Sequence, residues 1–186
     1  MAGDERCEVR LAGEGGQGLI LAGLILAEAA AVYDGKNAVQ TQSYGPEARG
    51  GASKSEVIIS DGQIDYPKVT SADLLLCMSQ EACDRYSGEL KDHGIIVADS
   101  VNVVRVPATK VYMVPITSLA EEATGRRITA NIVALGVIVG LSGVVSRQAV
   151  EAAVKGRAPR GTEALNLKAL DAGLNRAAEL LAAESQ

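Results

Sequence analysis

The stretch Glu8-Val9-Arg10-Leu11-Ala12-Gly13-Glu14-Gly15-Gly16-Gln17-Gly18-Leu19 decides the fold. A short apolar strand, Glu8 to Ala12, runs into a glycine-rich turn. That turn opens directly on a long apolar helix, Leu19 to Tyr33. Glycine permits positive φ and lets a ligand approach the backbone closely. The free N–H groups and the dipole at the helix start favour an anion there. Gly13, Gly15 and Gly18 fit the G-x-G-x-x-G spacing of dinucleotide-binding turns.

Outward from this turn, strands and helices alternate. Asp34-Gly35 closes the first helix, since glycine suits the position after a helix end. Asn37 to Ser43 reads as the second strand, and Tyr44 to Gly51 as a loop holding Gly45, Pro46, Gly50 and Gly51. Lys54 to Ser60 is a third strand, and Asp61-Gly62 suits a hairpin turn. Asp73 to Ser79 and Ile95 to Ala98 are short apolar runs, the pattern of strands buried on both faces. A polar helix, Gln80 to Asp92, lies between them. Val101 to Val106 reads as a weak strand and Val111 to Ile116 as a stronger one. Helices are expected at Ser118 to Ala123, Thr129 to Leu141, Arg147 to Lys155 (capped by Ser146) and Thr162 to Ala183. The whole is an α/β fold, three-layered and Rossmann-like, with a mostly parallel sheet covered by helices on both faces. Residues 1–186 form one domain, of which 126–186 are the helical C-terminal portion.

Hydrophobic residues make up 47% of the 186, enough for one core of this size. Aromatics are only 3%, so Ala, Val, Ile and Leu must build it. The net charge of −5 argues against nucleic acid as partner. Lys155, Arg157 and Arg160 make only a short basic cluster. The run Ile132 to Val145 is short for a membrane span and is broken by glycine, so no membrane partner is expected. The cysteines, Cys7, Cys77 and Cys83, are odd in number and form no C-x-x-C, which fits a reducing, cytoplasmic setting and no metal or cluster site.

The glycine turn alone suggests a nicotinamide cofactor. That reading needs an acidic residue at the end of strand two to hold the ribose. Strand two ends Val39-Gln40-Thr41-Gln42-Ser43, without one. Strand two is expected to run parallel to strand one, opening on the same edge as the glycine turn. Ser43, Tyr44 and Arg49 would then face that turn, with Arg49 suited to a forked contact with phosphate or carboxylate; a rigid loop with an internal Glu47–Arg49 pair is the plainer reading. His93 is the only histidine, placed between a helix end and a strand, where it suits the helix dipole better than acid–base work. Asp99 ends a strand with no visible partner. No residue is assigned a catalytic role. Gly136 and Gly140, four apart, suit close helix packing, within the domain or between subunits.

With these stretches in view, the chain resembles the gamma subunit of 2-oxoacid:ferredoxin oxidoreductases. The resemblance is carried by Gly13 to Gly18 and by Gln42-Ser43-Tyr44-Gly45-Pro46-Glu47-Ala48-Arg49-Gly50-Gly51. Ser55 to Ser60, Asp65-Tyr66-Pro67, Asn131 to Gly136, Asn166, Ala169 and Gly173 extend it over nearly the whole length. The second loop is most similar to the 2-oxoglutarate branch. The resemblance implies one subunit of an enzyme that turns a 2-oxoacid, coenzyme A and oxidised ferredoxin into acyl-CoA, CO2 and reduced ferredoxin. It places thiamine diphosphate, magnesium and iron–sulfur clusters on partner subunits: alpha, beta and, where one exists, delta. It implies that Gly13, Gly15, Gly16, Gln17, Gly18, Ser43, Tyr44 and Arg49, with Asn131, contact coenzyme A or an adjacent subunit. The alternatives are a stand-alone NAD(P)-binding oxidoreductase and an assembly subunit that binds no ligand.

Overall fold

The computed structural model describes residues 6–43, 52–107 and 110–185. Tyr44 and Arg49 of the expected site lie outside them. The strands are β1 (Arg6–Glu14), β2 (Asn37–Ser43), β3 (Ala52–Ser60), β4 (Ala72–Cys77), β5 (Leu90–Asp99) and β6 (Val111–Val114). They form one six-stranded sheet in the order β2-β3-β1-β4-β5-β6. β1, β4, β5 and β6 are mutually parallel. β3 is antiparallel to both β1 and β2.

Strand two does run in the direction of strand one, but by other wiring. It pairs with β3 across the segment 44–51, and β3 inserts between it and β1. The hairpin therefore falls there and not at Asp61-Gly62. Residues 61–71 instead carry the chain past the start of β1 to β4. Asp61-Gly62 marked a turn correctly, but a turn dipeptide does not name the strands it joins.

The helices are α1 (Leu19–Glu28), α2 (Gln80–Tyr86), α3 (Ile116–Thr124), α4 (Ala130–Ser142), α5 (Arg147–Arg157) and α6 (Glu163–Glu184). The two faces of the sheet are unequal. Val9, Leu11, Val57, Ile59, Leu74, Leu76 and Val97 point into a core shared with α1, α3, α4, α5 and α6. Leu75, Cys77, Ile96 and Ala98 point the other way, against α2 and the coil after β5. α4 lies between the sheet and α6, and every residue from Ala130 to Val139 is buried. That explains a helix apolar all round. Gly136 settles its own reading: a Cβ there would stand 2.4 Å from the Leu170 carbonyl oxygen and 3.0 Å from Gly173 Cα. The small residues serve packing inside the domain.

The first helix ends differently from expectation. Its last turn, Ala29–Tyr33, widens to π-helical geometry before Gly35. Asp34 then accepts from both the N–H and the hydroxyl of Ser146, each at 2.6 Å, fixing α5 to the end of α1. Ser146 caps α5 as its sequence suggests, accepting from the Ala149 N–H at 3.1 Å.

Residues 101–106 are not a strand, and the helix at 80–92 stops at Tyr86. His93 accordingly sits within β5. Its ring lies 2.9 Å from Asp73, on the starting edge of the sheet, and makes no helix-end contact. Among the described residues no helix is long and apolar enough to cross a membrane.

Candidate functional site

β1, β4, β5 and β6 all end on one edge of the sheet, and α1, α3 and α4 all begin there. The turn Gly15-Gly16 protrudes from this edge. A Cβ on Gly15 or Gly16 would meet nothing within 4 Å, so the outer side of the turn is open. Gly16 has φ +91° and Gly18 φ +74°, values that favour glycine. Gly13 is needed for space: a Cβ would lie 2.2 Å from the Gln17 side-chain oxygen and 2.8 Å from Leu19.

Two side chains make this turn rigid. Gln17 Oε1 accepts from the Glu14 N–H at 2.7 Å, and its Nε2 donates to the Met78 carbonyl at 3.1 Å. Asn131 Nδ2 donates to the Gly18 carbonyl at 3.1 Å, while its Oδ1 accepts from the Ile132 N–H at 2.9 Å. Asn131 thus joins the first turn of α4 to the first residue before α1. Met78 itself is held by its N–H to the Ala12 carbonyl at 2.9 Å.

A crevice of about 240 Å³ adjoins the turn, lined by Gly16, Gln17, Met78, Asn102, Thr117, Arg127, Ile128 and Ala130. The amino ends of α3 and α4 reach it through Thr117 and Ala130, and both helix dipoles favour negative charge there. Arg127 adds a cation that is two-thirds exposed and paired to Glu121 at 2.9 Å. Ile128, at 79% exposure, gives the rim an apolar knob.

Asp99 stands beneath this crevice and is wholly buried. It accepts from the Val101 N–H at 3.2 Å, Asn102 Nδ2 at 2.8 Å, the Thr117 N–H at 3.3 Å and the Thr117 hydroxyl at 2.5 Å. Its carboxylate therefore braces the start of α3, which carries no local side-chain cap. A buried carboxylate with this many donors is a structural anchor.

The structure brings Gly13, Gly15, Gly16, Gln17, Gly18 and Asn131 together. Ser43 shares their edge: it pairs with Lys54, which pairs with Ala12. It is separated from the glycine turn by β3. Asn102, Thr117 and Arg127 were not apparent in the sequence. Thr117 had a weak signal, since it follows a strand and opens a helix, but its real cap comes from Asp99 in another element. His93 is at the opposite edge, in a separate cavity of about 370 Å³ with Cys7, Lys36 and Asp73. Among the described residues no group of His, Cys, Asp and Glu is arranged to hold a metal ion.

The fold is an α/β sheet whose glycine turn is open on its outer side, with the starts of three helices converging on the same edge, the geometry of an anion-accepting sheet edge. The model of the pyruvate ferredoxin/flavodoxin oxidoreductase family matches residues 8–176, and the chain belongs to that family. It is 51% identical over 179 residues to the 2-oxoglutarate synthase subunit KorC of Methanocaldococcus jannaschii, covering 94% of this chain and 96% of the relative. The keto/oxoacid ferredoxin oxidoreductase gamma subunit of Geobacter sulfurreducens superposes with a TM-score of 0.86 at 52% identity, covering 94% and 98% of the two chains. The fold recurs, with a TM-score of 0.83 and 24% identity, in the 2-oxoglutarate:ferredoxin oxidoreductase of Magnetococcus marinus, solved with 2-oxoglutarate, coenzyme A and succinyl-CoA bound. There it matches 94% of this chain but only 31% of the longer one. The expected family and fold are thus confirmed.

Proposed function

We propose that this chain is the gamma-type subunit of a cytoplasmic 2-oxoglutarate:ferredoxin oxidoreductase, and that its glycine turn holds the phosphates of coenzyme A. The alpha and beta subunits, and delta where present, would carry thiamine diphosphate, magnesium and the iron–sulfur clusters, with ferredoxin accepting the electrons. When bound there, those groups supply decarboxylation and electron transfer. This chain's part is to orient the thiol-bearing co-substrate, a matter of position and not of proton transfer.

The observation that carries this reading is the contrast between the two sides of the turn. Its inner side is pinned by Gln17 and Asn131, while the outer side of Gly15-Gly16 is open. A rigid backbone with space outside it suits an anion that must come close. The crevice beside it adds Arg127 and two further helix starts. Ser43, Tyr44 and Arg49 complete the site in this proposal. The exposed Ile128 and Val104 suit contact with a partner subunit.

A nicotinamide reading fares worse. The strand beside β1 on that side is the antiparallel β3, so the end of β2 is not adjacent to the turn.

The test uses the assembled enzyme. Gly15 has ordinary φ and open space, so Gly15→Ala folds normally yet puts a methyl group where a phosphate would sit. We expect the KM for coenzyme A to rise about tenfold, equivalent to about 1.4 kcal/mol, with assembly and thermal stability retained. An unchanged KM in an intact complex would leave this chain the role of an assembly subunit.

A further inference from the structure

We infer that β2 and the outer flank of α1 form an interface between two copies of this chain, joined by antiparallel pairing of one β2 with the other. β2 ends the sheet, and among the described residues no strand lies beyond it. Its stretch Asn37-Ala38-Val39-Gln40-Thr41-Gln42 holds no charge and no proline, and its pairing with β3 runs without a bulge. Sheet edges are ordinarily shielded by charge, proline or bulges, or are kept very short. The opposite edge obeys that rule, since β6 has only four residues and follows the exposed Lys110. Lys36, just before β2, is tied to the Val144 carbonyl at 3.2 Å.

The helix above this edge has the same character. From Leu19 to Tyr33 it holds one charge, Glu28, which Arg157 neutralises at 2.5 Å. A helix apolar all round is normally buried all round. α4 obeys this and α1 does not. Gly23 faces β3, where a Cβ would meet Ser55 and Val57, and Ala22, Ile25 and Ala29 are buried. Yet Leu24 is only half-buried, Leu21 is 38% exposed and Val32 67% exposed. α4 and α5 pack on one side of α1, and β2 lies under the other, so the uncovered apolar sector and the uncharged strand edge form one continuous surface.

The missing charge points to a second copy as the occupant. A two-fold axis sets each charge near it against its own like, so a surface that pairs with itself must be uncharged at its centre. A different subunit imposes no such condition. Antiparallel pairing centred on Gln40 sets Val39 opposite Thr41 of the second copy, a favourable β-branched pair, and Ala38 opposite Gln42. The axis then stands normal to the sheet, which brings the two α1 flanks together on one face. The extent also fits. Strand and helix each run about 23 Å, and their stacked depth is about 20 Å. That outlines roughly 450 Å² on each copy, or about 900 Å² for the pair before side-chain relief is added, against the ~1,000 Å² that a specific interface needs. The glycine turns point to opposite edges of the joined sheet, so the pairing does not depend on what they hold.

The experiment uses the full chain. Sedimentation equilibrium should show the mass rising from that of one chain to that of two across the micromolar range, as a small interface implies. Amide exchange of residues 37–42 should slow over the same range. Gln40→Glu and Gln40→Lys should each weaken association about fivefold, because each new charge meets its own copy. An equimolar mixture of the two should recover it. Gln40 also donates to the Ser55 hydroxyl at 2.9 Å, so a variant that leaves the strand intact is needed. Leu24→Lys, on the helix, should weaken association by a similar factor. The inference is overturned if the wild-type chain stays single throughout, if the mixed Gln40 variants associate no better than either alone, or if Leu24→Lys associates as the wild type does. It is also overturned if residues 37–42 become protected only when the other subunits of the enzyme are added, which would give the strand to one of them.

Discussion

The side-chain amide of Asn131 donates to the Gly18 carbonyl at 3.1 Å, joining residues 113 positions apart and setting the start of α1 against the start of α4. The same carbonyl accepts the first helical bond of α1, from the Ala22 N–H at 3.1 Å. Asn131→Ala removes one of its two donors and should cost about 1 kcal/mol. Asn131→Asp should cost more, because an acceptor then faces the Gly18 carbonyl. It also places negative charge beside the candidate anion site. Urea midpoints should fall in the order wild type, Ala, Asp, and coenzyme A affinity of the assembled enzyme should fall in the same order. Equal midpoints for Ala and Asp would show that the donor toward Gly18 does not matter.

The crossing of α4 and α6 depends on glycine from both helices. A Cβ on Gly173 would stand 2.1 Å from the Val133 carbonyl oxygen and 2.9 Å from Gly136 Cα. These are backbone atoms and cannot turn aside. Gly136→Ala and Gly173→Ala should each destabilise by about 1–3 kcal/mol, the usual cost of overpacking. Helix propensity favours alanine by about 1 kcal/mol and so works against this result. Thermal unfolding of the two variants decides the sign, and a gain in either would mean that the helices separate cheaply.

Arg10 is a cation buried in the interior. Its Nε bonds Glu56 at 2.8 Å, its two terminal nitrogens reach Glu89 at 2.5 Å and the Val69 carbonyl at 3.2 Å, and it lies 5.3 Å from the Tyr86 ring centre. Its side chain is 1% exposed. Arg10→Ala leaves Glu56 short of its partner in a buried setting, and should cost about 3–5 kcal/mol. Lys54, at 3.0 Å from Glu56, limits the loss. Adding Glu56→Gln to the alanine variant should recover part of the stability. No recovery in chemical denaturation would show that the cost arises from lost packing on Tyr86.

Periodicity and glycine placement carried most of the fold. Asn37–Ser43 was legible to the residue, because alternation and flanking turn residues act locally. The position of β3 between β2 and β1 was not legible, since strand order is set by pairing across the sheet and not by local sequence. The run of residues 101–106 looked like a strand for its valines. Asp99 instead turns the chain at once, accepting from the Val101 N–H and Asn102, and Gln80 holds Val104 and Arg105. At the candidate site the glycine turn was plain, since the positive φ at Gly16 and Gly18 and the tight space at Gly13 favour glycine. Thr117 and Arg127 arrive by folding from segments about a hundred residues away, and no spacing rule could connect them to Gly16.

Asp73 gives the protein a defined acid limb. Its carboxylate accepts from the Glu8 N–H at 2.8 Å, Lys91 Nζ at 2.7 Å and the His93 ring at 2.9 Å. Burial alone would raise its pKa. The hydrogen bonds, led by Lys91, outweigh it and hold the group below the ordinary carboxylate value. A folded pKa below the unfolded one means stability that is fully present above the unfolded value of about 3.9 and lost as pH falls through the folded value. Asp73→Asn should therefore be less stable than wild type at pH 7, by about 1–3 kcal/mol. The gap should stay level down to about pH 5 and close below about pH 4. Urea unfolding of both proteins from pH 7 to pH 3 measures it. A gap that persisted unchanged to pH 3 would mean that Asp73 is held by shape and not by charge.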